Sequence, residues 1–151
     1  MGDVLVIGTG TIGEPLIGLL ADFRKKLGIT NLYFHKRTPL TDEISKVQNL
    51  IKRGAKLVVN KEHKKEFEEM GHKVFSNFDK VLKKADVVVD CTPAGNKHKD
   101  KHYLPLKNEN TKRPTGKRKI FIAQGSEKEF GIPYAYGIND DVLQEQYPNF
   151  I

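Results

Sequence analysis

The sequence predicts an α/β fold, with a Rossmann-like, doubly wound and mostly parallel sheet flanked by helices. Short apolar runs of strand character alternate with amphipathic, helix-like stretches almost to the end of the 151-residue chain. Strands that alternate with helices favour a parallel sheet with right-handed crossovers. The glycine pattern of the first strand–turn–helix unit is the second observation, and it also indicates where a ligand would bind.

The N-terminal unit has the order strand, glycine-rich turn, helix. Residues 3–7 form an apolar strand-like run that leads directly into Gly8-Thr9-Gly10-Thr11-Ile12-Gly13, and residues 16–23 have apolar side chains at helical spacing. In this fingerprint Gly8 permits the tight turn, Gly10 lets the backbone approach a pyrophosphate, and Gly13 lets helix and strand pack closely. The unit predicts a dinucleotide site. The alternative is an ordinary glycine turn without a ligand.

The remaining elements follow from periodicity and turn residues. Predicted strands cover 31–35, 55–59, 72–75, 85–91 and 119–123, with a weak last strand at 134–137, and predicted helices cover 41–52, 61–70 and 77–84. Thr41 or Asp42 is expected to cap the first of these helices. The run 85–91 is expected to be a central strand buried on both faces, and 108–118 a basic surface insertion.

Length, composition and charge limit the classes of protein to which the chain can belong. The length predicts one domain, and no apolar run approaches the roughly 20 residues of a membrane span. The single cysteine favours a reducing cytoplasm, and no signal peptide is expected, since the first predicted strand starts immediately. The net charge of +7 predicts anionic partners, either phosphorylated small molecules or nucleic acid. The lysine clusters have no interleaved aromatic pattern, which argues against nucleic acid.

The end of the second predicted strand bears on cofactor choice. Folds that prefer NAD place an acidic residue there, to bind the ribose 2′-hydroxyl. This chain has His35-Lys36-Arg37-Thr38, with no carboxylate until Asp42. Two cations and a hydroxyl would attract a 2′-phosphate, so the sequence predicts that NADP is favoured or that both cofactors are tolerated. The alternative is that these are solvated loop residues.

Two other features suggest chemistry less strongly. Cys91 ends the most apolar run, where a thiol is usually a buried core residue without a lowered pKa. His98 and His102 are four residues apart, as two ligands on one helix face would be. The surrounding lysines repel a cation and no further ligand completes a set, so a solvated basic face is expected and a metal is not.

Four segments, taken in order, resemble the cofactor domain of archaeal-type (type II) glyceraldehyde-3-phosphate dehydrogenases. They are the glycine turn at 8–13, Lys36-Arg37-Thr38-Pro39, the run 85–95 ending in Thr92-Pro93-Ala94-Gly95, and 122–128 with Gln124-Gly125-Ser126-Glu127-Lys128. The resemblance implies that Thr11, Ile12 and Gly125 contact the dinucleotide and that Lys36 and Thr38 face the 2′ position. The complete predicted set of cofactor-binding residues is Gly8, Gly10, Thr11, Ile12, Gly13, Lys36, Arg37, Thr38, Thr92, Pro93, Gly95, Gln124 and Gly125.

The resemblance also implies what this chain lacks. In the family a catalytic cysteine, in a Ser-Cys-Asn-Thr-Thr motif, follows shortly after the stretch that matches 139–151, and Cys91 falls where the family has threonine. Residues 1–151 are therefore expected to be one NAD(P)-binding domain with no catalytic residue of its own, which would be inactive alone. Ser126 and the basic insertion depart from the family pattern.

The expected partners follow from the same resemblance. A catalytic-domain polypeptide or further copies of the chain would cover apolar surface near its end, for which the expected contributors are Phe130, Ile132, Tyr134, Tyr136 and 147–151. The alternative function is a stand-alone NAD(P)-sensing module that regulates a partner protein.

Overall fold

A computed structural model of the chain describes residues 2–93, 101–103, 105–106, 118–124, 131–143 and 149–150. Within these ranges seven strands form one sheet in the order β4-β3-β2-β1-β5-β6-β7, and every pairing is parallel. The strands are β1 Gly2–Ile7, β2 Ile29–His35, β3 Lys56–Val59, β4 Val74–Asn77, β5 Val87–Asp90, β6 Ile120–Ala123 and the two-residue β7 Asn149–Phe150.

Helices connect the strands of the first half of the chain. They are α1 Gly13–Asp22, α2 Ile44–Lys52, α3 Lys64–Glu69 and α4 Phe78–Lys84, with 3₁₀ turns at Thr41–Glu43, Lys61–His63 and Asp140–Val142. Asn77 caps α4, because its side-chain oxygen accepts a hydrogen bond from the amide of Lys80 at 2.9 Å. Across the described ranges, no helix combines the length and the hydrophobicity that crossing a bilayer requires.

The sheet has a core on each face because side chains alternate along every strand. Val4 and Val6 of β1 face one core, which α1, α2 and α3 cover; Leu5 and Ile7 face the other, which α4 and residues 103 and 106 cover. These two layers of helices make the sheet doubly wound. The predicted α/β fold, with its parallel sheet and flanking helices, is confirmed.

Three local predictions are wrong. Residues 134–137 form a turn rather than a strand: Gly137 has φ +73°, and the side chain of Asn139 accepts from the amide of Ala135 and donates to the carbonyl of Pro133, each at 2.8 Å. Neither Thr41 nor Asp42 caps a helix, because Leu40 occupies the capping position before the 3₁₀ turn. The fourth strand begins at 74 rather than 72. The amide of His72 donates a hydrogen bond to the carbonyl of Phe67 in α3, so His72 belongs to the end of that helix and not to the strand.

Some apolar side chains remain exposed. Tyr136 is 88% exposed, as expected for surface near the end of the chain, whereas Phe130 and the side chains of 147–151 lie outside the described residues. The sequence did not predict that Leu19, Phe23 and Leu27, on the outer side of α1 and the turn after it, are also about half exposed.

Candidate functional site

The candidate site lies at the carboxyl ends of the central strands. After β1 the chain passes through α1 to β2 on one side, while β5 pairs with β1 on the other side. Strand order reverses at this point, and ligands of open parallel sheets bind in the crevice that the reversal creates. A cavity of about 220 Å³ opens there, lined by Ile7, Gly8, Thr9, His35, Lys36, Arg37, Thr38, Leu40, Thr92 and Pro93.

The first wall is the glycine turn between β1 and α1. Gly8 has φ +96°, which favours glycine, and a β-carbon on Gly13 would overlap the carbonyl oxygen of Gly8. Gly10 is different: its φ is not positive, and a β-carbon there would meet nothing within 4 Å. The fold therefore requires glycine at 8 and 13 but not at 10.

The start of α1 offers donors to an anion. The amide of Glu14 donates to the carbonyl of Gly10 at 3.0 Å, but within the described ranges the amides of Thr11, Ile12 and Gly13 have no backbone acceptor. The side chain of Ile12, at the capping position, does not accept a hydrogen bond from these amides either. Free amides and the positive end of the helix dipole together favour a phosphate.

The second wall follows β2 and contains an ion network. The ammonium of Lys36, a residue only 7% exposed, forms an ion pair with the carboxylate of Glu43. Lys46 donates to the same carboxylate at 2.8 Å and lies 3.4 Å from Glu14. The hydrogen bond from Lys36, followed by that from Lys46, lowers the pKa of Glu43. The sequence placed Lys36 at this wall but did not reveal that its charge is balanced.

Arg37 and Thr38 extend beyond this network. Both side chains are exposed and both line the cavity. No ion pair involves Arg37 within the part of the chain that the structure describes. Of the two cations of this wall, Arg37 can therefore bind an anionic ligand without first breaking an ion pair among the described residues.

His35 also lines the cavity, although it is not among the residues that the sequence assigns to cofactor binding. Its ring lies 4.2 Å from that of Phe78, and Nε2 is 3.1 Å from Oδ1 of Asn60. The residue is 3% exposed. Its position as the last residue of a strand that ends at the switch point is the signal that could have identified it.

The third wall follows β5 and is fixed by Asp90. The buried carboxylate accepts hydrogen bonds from the amide and the hydroxyl of Thr92, at 2.7 and 2.5 Å, and from the hydroxyl of Tyr103 at 2.8 Å. Gln124 donates to the carbonyls of Cys91 and Thr92 at 3.0 and 3.3 Å. Thr92 and Pro93 are therefore held in place by side chains from two further segments.

Cys91 lies beneath the glycine turn. The predicted burial is confirmed, since the residue is 8% exposed. Burial, with a smaller contribution from the charge of Asp90, raises the pKa of the thiol to about 11. The thiol is therefore protonated at neutral pH, which argues against a nucleophile at this position.

The predicted cofactor residues are distributed around the cavity. Six of them line it (Gly8, Lys36, Arg37, Thr38, Thr92 and Pro93), and Gln124 supports the Thr92 loop. Gly10, Thr11, Ile12 and Gly13 continue the turn beyond the lining residues, and Gly95 and Gly125 lie outside the described residues. His98 also lies outside them, whereas the ring of His102 packs against Phe78. The described residues contain no group of three or more side chains suited to a metal.

Comparison with known proteins gives related sequences. No family model matches the chain. A glyceraldehyde-3-phosphate dehydrogenase of Methanobacterium bryantii is 32% identical over the whole chain, and one of Methanobacterium formicicum is 29% identical over the same length. The chain spans 41% of the length of each. A third, from Metallosphaera sedula, is 42% identical over 61% of the chain, which corresponds to 25% of that protein.

Proposed function

Because this chain is a homologue of the N-terminal part of glyceraldehyde-3-phosphate dehydrogenases, we propose that it is the dinucleotide-binding half of such an oxidoreductase. It binds NADP or NAD in the crevice beside β1. The nicotinamide of the bound cofactor would accept a hydride from the substrate. The chain itself supplies binding and orientation.

The presence of glycine at position 10 is the observation that supports this proposal most directly. The fold does not need glycine there, since a side chain would find open space. A bound pyrophosphate does need it, because only a residue without a β-carbon lets the backbone come close to the phosphate oxygens. The free amides at the start of α1 provide the matching donors. The rest of the crevice, with Arg37 and Thr38 at one side and Thr92 and Pro93 at the other, would hold the adenosine half.

Gly10→Ala is the first test. The variant is expected to keep the free energy of unfolding within about 0.5 kcal/mol of the wild type. It should bind NADP and NAD at least about tenfold more weakly, since the added methyl group occupies the place of the pyrophosphate. Urea denaturation and calorimetric titration give the two quantities. A stable Gly10→Ala variant with undiminished affinity for both cofactors would contradict the proposed site.

We further propose that NADP binds at least as tightly as NAD, because Lys36, Arg37 and Thr38 stand where NAD-preferring folds have an acidic residue. Calorimetric titration of both cofactors is the measurement. Arg37→Ala is expected to weaken NADP about fivefold and NAD less than twofold, as loss of one partly exposed phosphate contact predicts. A clear preference for NAD that persists in Lys36→Ala and Arg37→Ala would contradict this assignment.

The proposed reaction also needs a nucleophile. Cys91 is buried and protonated at neutral pH, so we place the nucleophile of the reaction in a catalytic domain that corresponds to the rest of the relatives' length. That domain is the partner we propose. We also propose the archaeal-type subgroup, from the Thr92-Pro93 and Gln124-Gly125 motifs, and a cytoplasmic location, from the single cysteine.

A further inference from the structure

The ion network beside the crevice has no net charge. Lys36 and Lys46 contribute two positive charges, and Glu43 and Glu14 contribute two negative ones. Glu43 is at the centre, because its carboxylate contacts both lysines. Its Oε2 is buried, and the ammonium of Lys36 is its only partner in the described ranges.

The position of Glu43 changes the electrostatics of the second wall. Lys36 is the buried cation of the crevice, and at such a site charges are weakly screened. A 2′-phosphate beside Lys36 would gain its attraction but also meet the repulsion of Glu43. The 2′-hydroxyl of NAD, which has no charge, would meet neither. The low pKa of Glu43 keeps the carboxylate ionised at neutral pH, so the repulsion is always present there.

We propose that Glu43 is a specificity-determining residue that, by neutralising Lys36, limits the advantage of NADP over NAD. It acts through Lys36 and does not line the crevice. The inference depends on the proposed function, because it assumes that a dinucleotide binds beside Lys36. It explains how a wall with two cations can accept both cofactors: of Lys36 and Arg37, only Arg37 has no carboxylate partner among the described residues.

Glu43→Gln, which keeps the shape of the side chain and removes its charge, is the test. Calorimetry with NADP and NAD is expected to show about tenfold tighter NADP binding and a change of less than about twofold for NAD, as loss of one nearby repulsive charge predicts. Glu43→Ala is a second variant with the same expected direction. Lys36→Met added to Glu43→Gln should abolish the gain.

Glu14→Gln is the matched control. Glu14 belongs to the same network but contacts Lys46 and not Lys36, so the ratio of the two dissociation constants should change less than about twofold. If Glu43→Gln changes both affinities equally, or weakens NADP, the inference is overturned while the proposed function stands. If the wild-type chain and all variants bind neither cofactor, the proposed function fails and the inference fails with it.

Discussion

Gly13→Ala is expected to lower the free energy of unfolding by at least about 3 kcal/mol, as overpacking against rigid neighbours does. A methyl group on Gly13 would overlap the carbonyl oxygen of Gly8 and lie 3.3 Å from Cβ of Cys91. Neither neighbour can turn aside, since one is backbone and the other is buried. Helix α1 must therefore move away from β1, which withdraws Ile17 and Ala21 from the core.

Urea denaturation of Gly13→Ala beside Gly10→Ala measures this effect. Both changes add one methyl group to the same turn, but only the first meets a steric clash. A Gly13→Ala variant as stable as the Gly10→Ala variant would show that the turn is looser than the structure indicates. The pair thus separates the glycine that the fold needs from the glycine that we assign to the ligand.

Lys119→Met is expected to destabilise the fold by about 3 kcal/mol, because it leaves buried carbonyls without a charged donor. The ammonium of Lys119 donates to the carbonyls of Leu82, at 2.9 Å, and of Ala85, and the residue is 2% exposed. It thereby satisfies the C-terminal end of α4. Methionine fills a similar volume, so the loss reports mainly on the hydrogen bonds and the charge.

Lys83→Met is the control for this experiment. Lys83 is in the last turn of the same helix but is exposed, and its replacement should change the free energy of unfolding by less than about 0.5 kcal/mol. Thermal or urea denaturation of both variants measures the two changes in the free energy of unfolding. A Lys119→Met variant more stable than the wild type would mean that desolvation of the ammonium outweighs its hydrogen bonds.

The sequence predicted the parts of the molecule that depend on local pattern. The strand–turn–helix unit at 2–22 has glycine spacing that is typical of a tight turn between a strand and a helix, and the apolar run 85–91 predicted the strand that pairs with β1. The boundaries of β4 could not be obtained in this way, because the amide of His72 is bound by the end of α3. That contact depends on how the helix terminates, which hydrophobic periodicity does not report.

The sequence indicated segments that the structure brings together at the crevice, but it did not reveal the electrostatics there. Lys36, Arg37 and Thr38, which the sequence assigns to cofactor binding, line the crevice. The pairing of Lys36 with Glu43, seven positions later, depends on the 3₁₀ turn at Thr41–Glu43, which was predicted as ordinary helix. Likewise, Asp90 was assigned to a strand, and only the structure shows that its carboxylate fixes Thr92 and also accepts a hydrogen bond from Tyr103.

The central position of β1 affects how the chain folds. One edge of β1 pairs with β2, which follows soon in the sequence, whereas its other edge pairs with β5. The contacts at that second edge span a long stretch of chain: the amide of Asp3 donates a hydrogen bond to the side chain of Asp86, 83 residues later. A ribosome therefore releases β1 and β2 long before the second edge can be covered. Closing so long a loop is slow, and an uncovered edge is prone to wrong pairing. The crevice beside β1 can form only after that late step, so cofactor binding would report its completion.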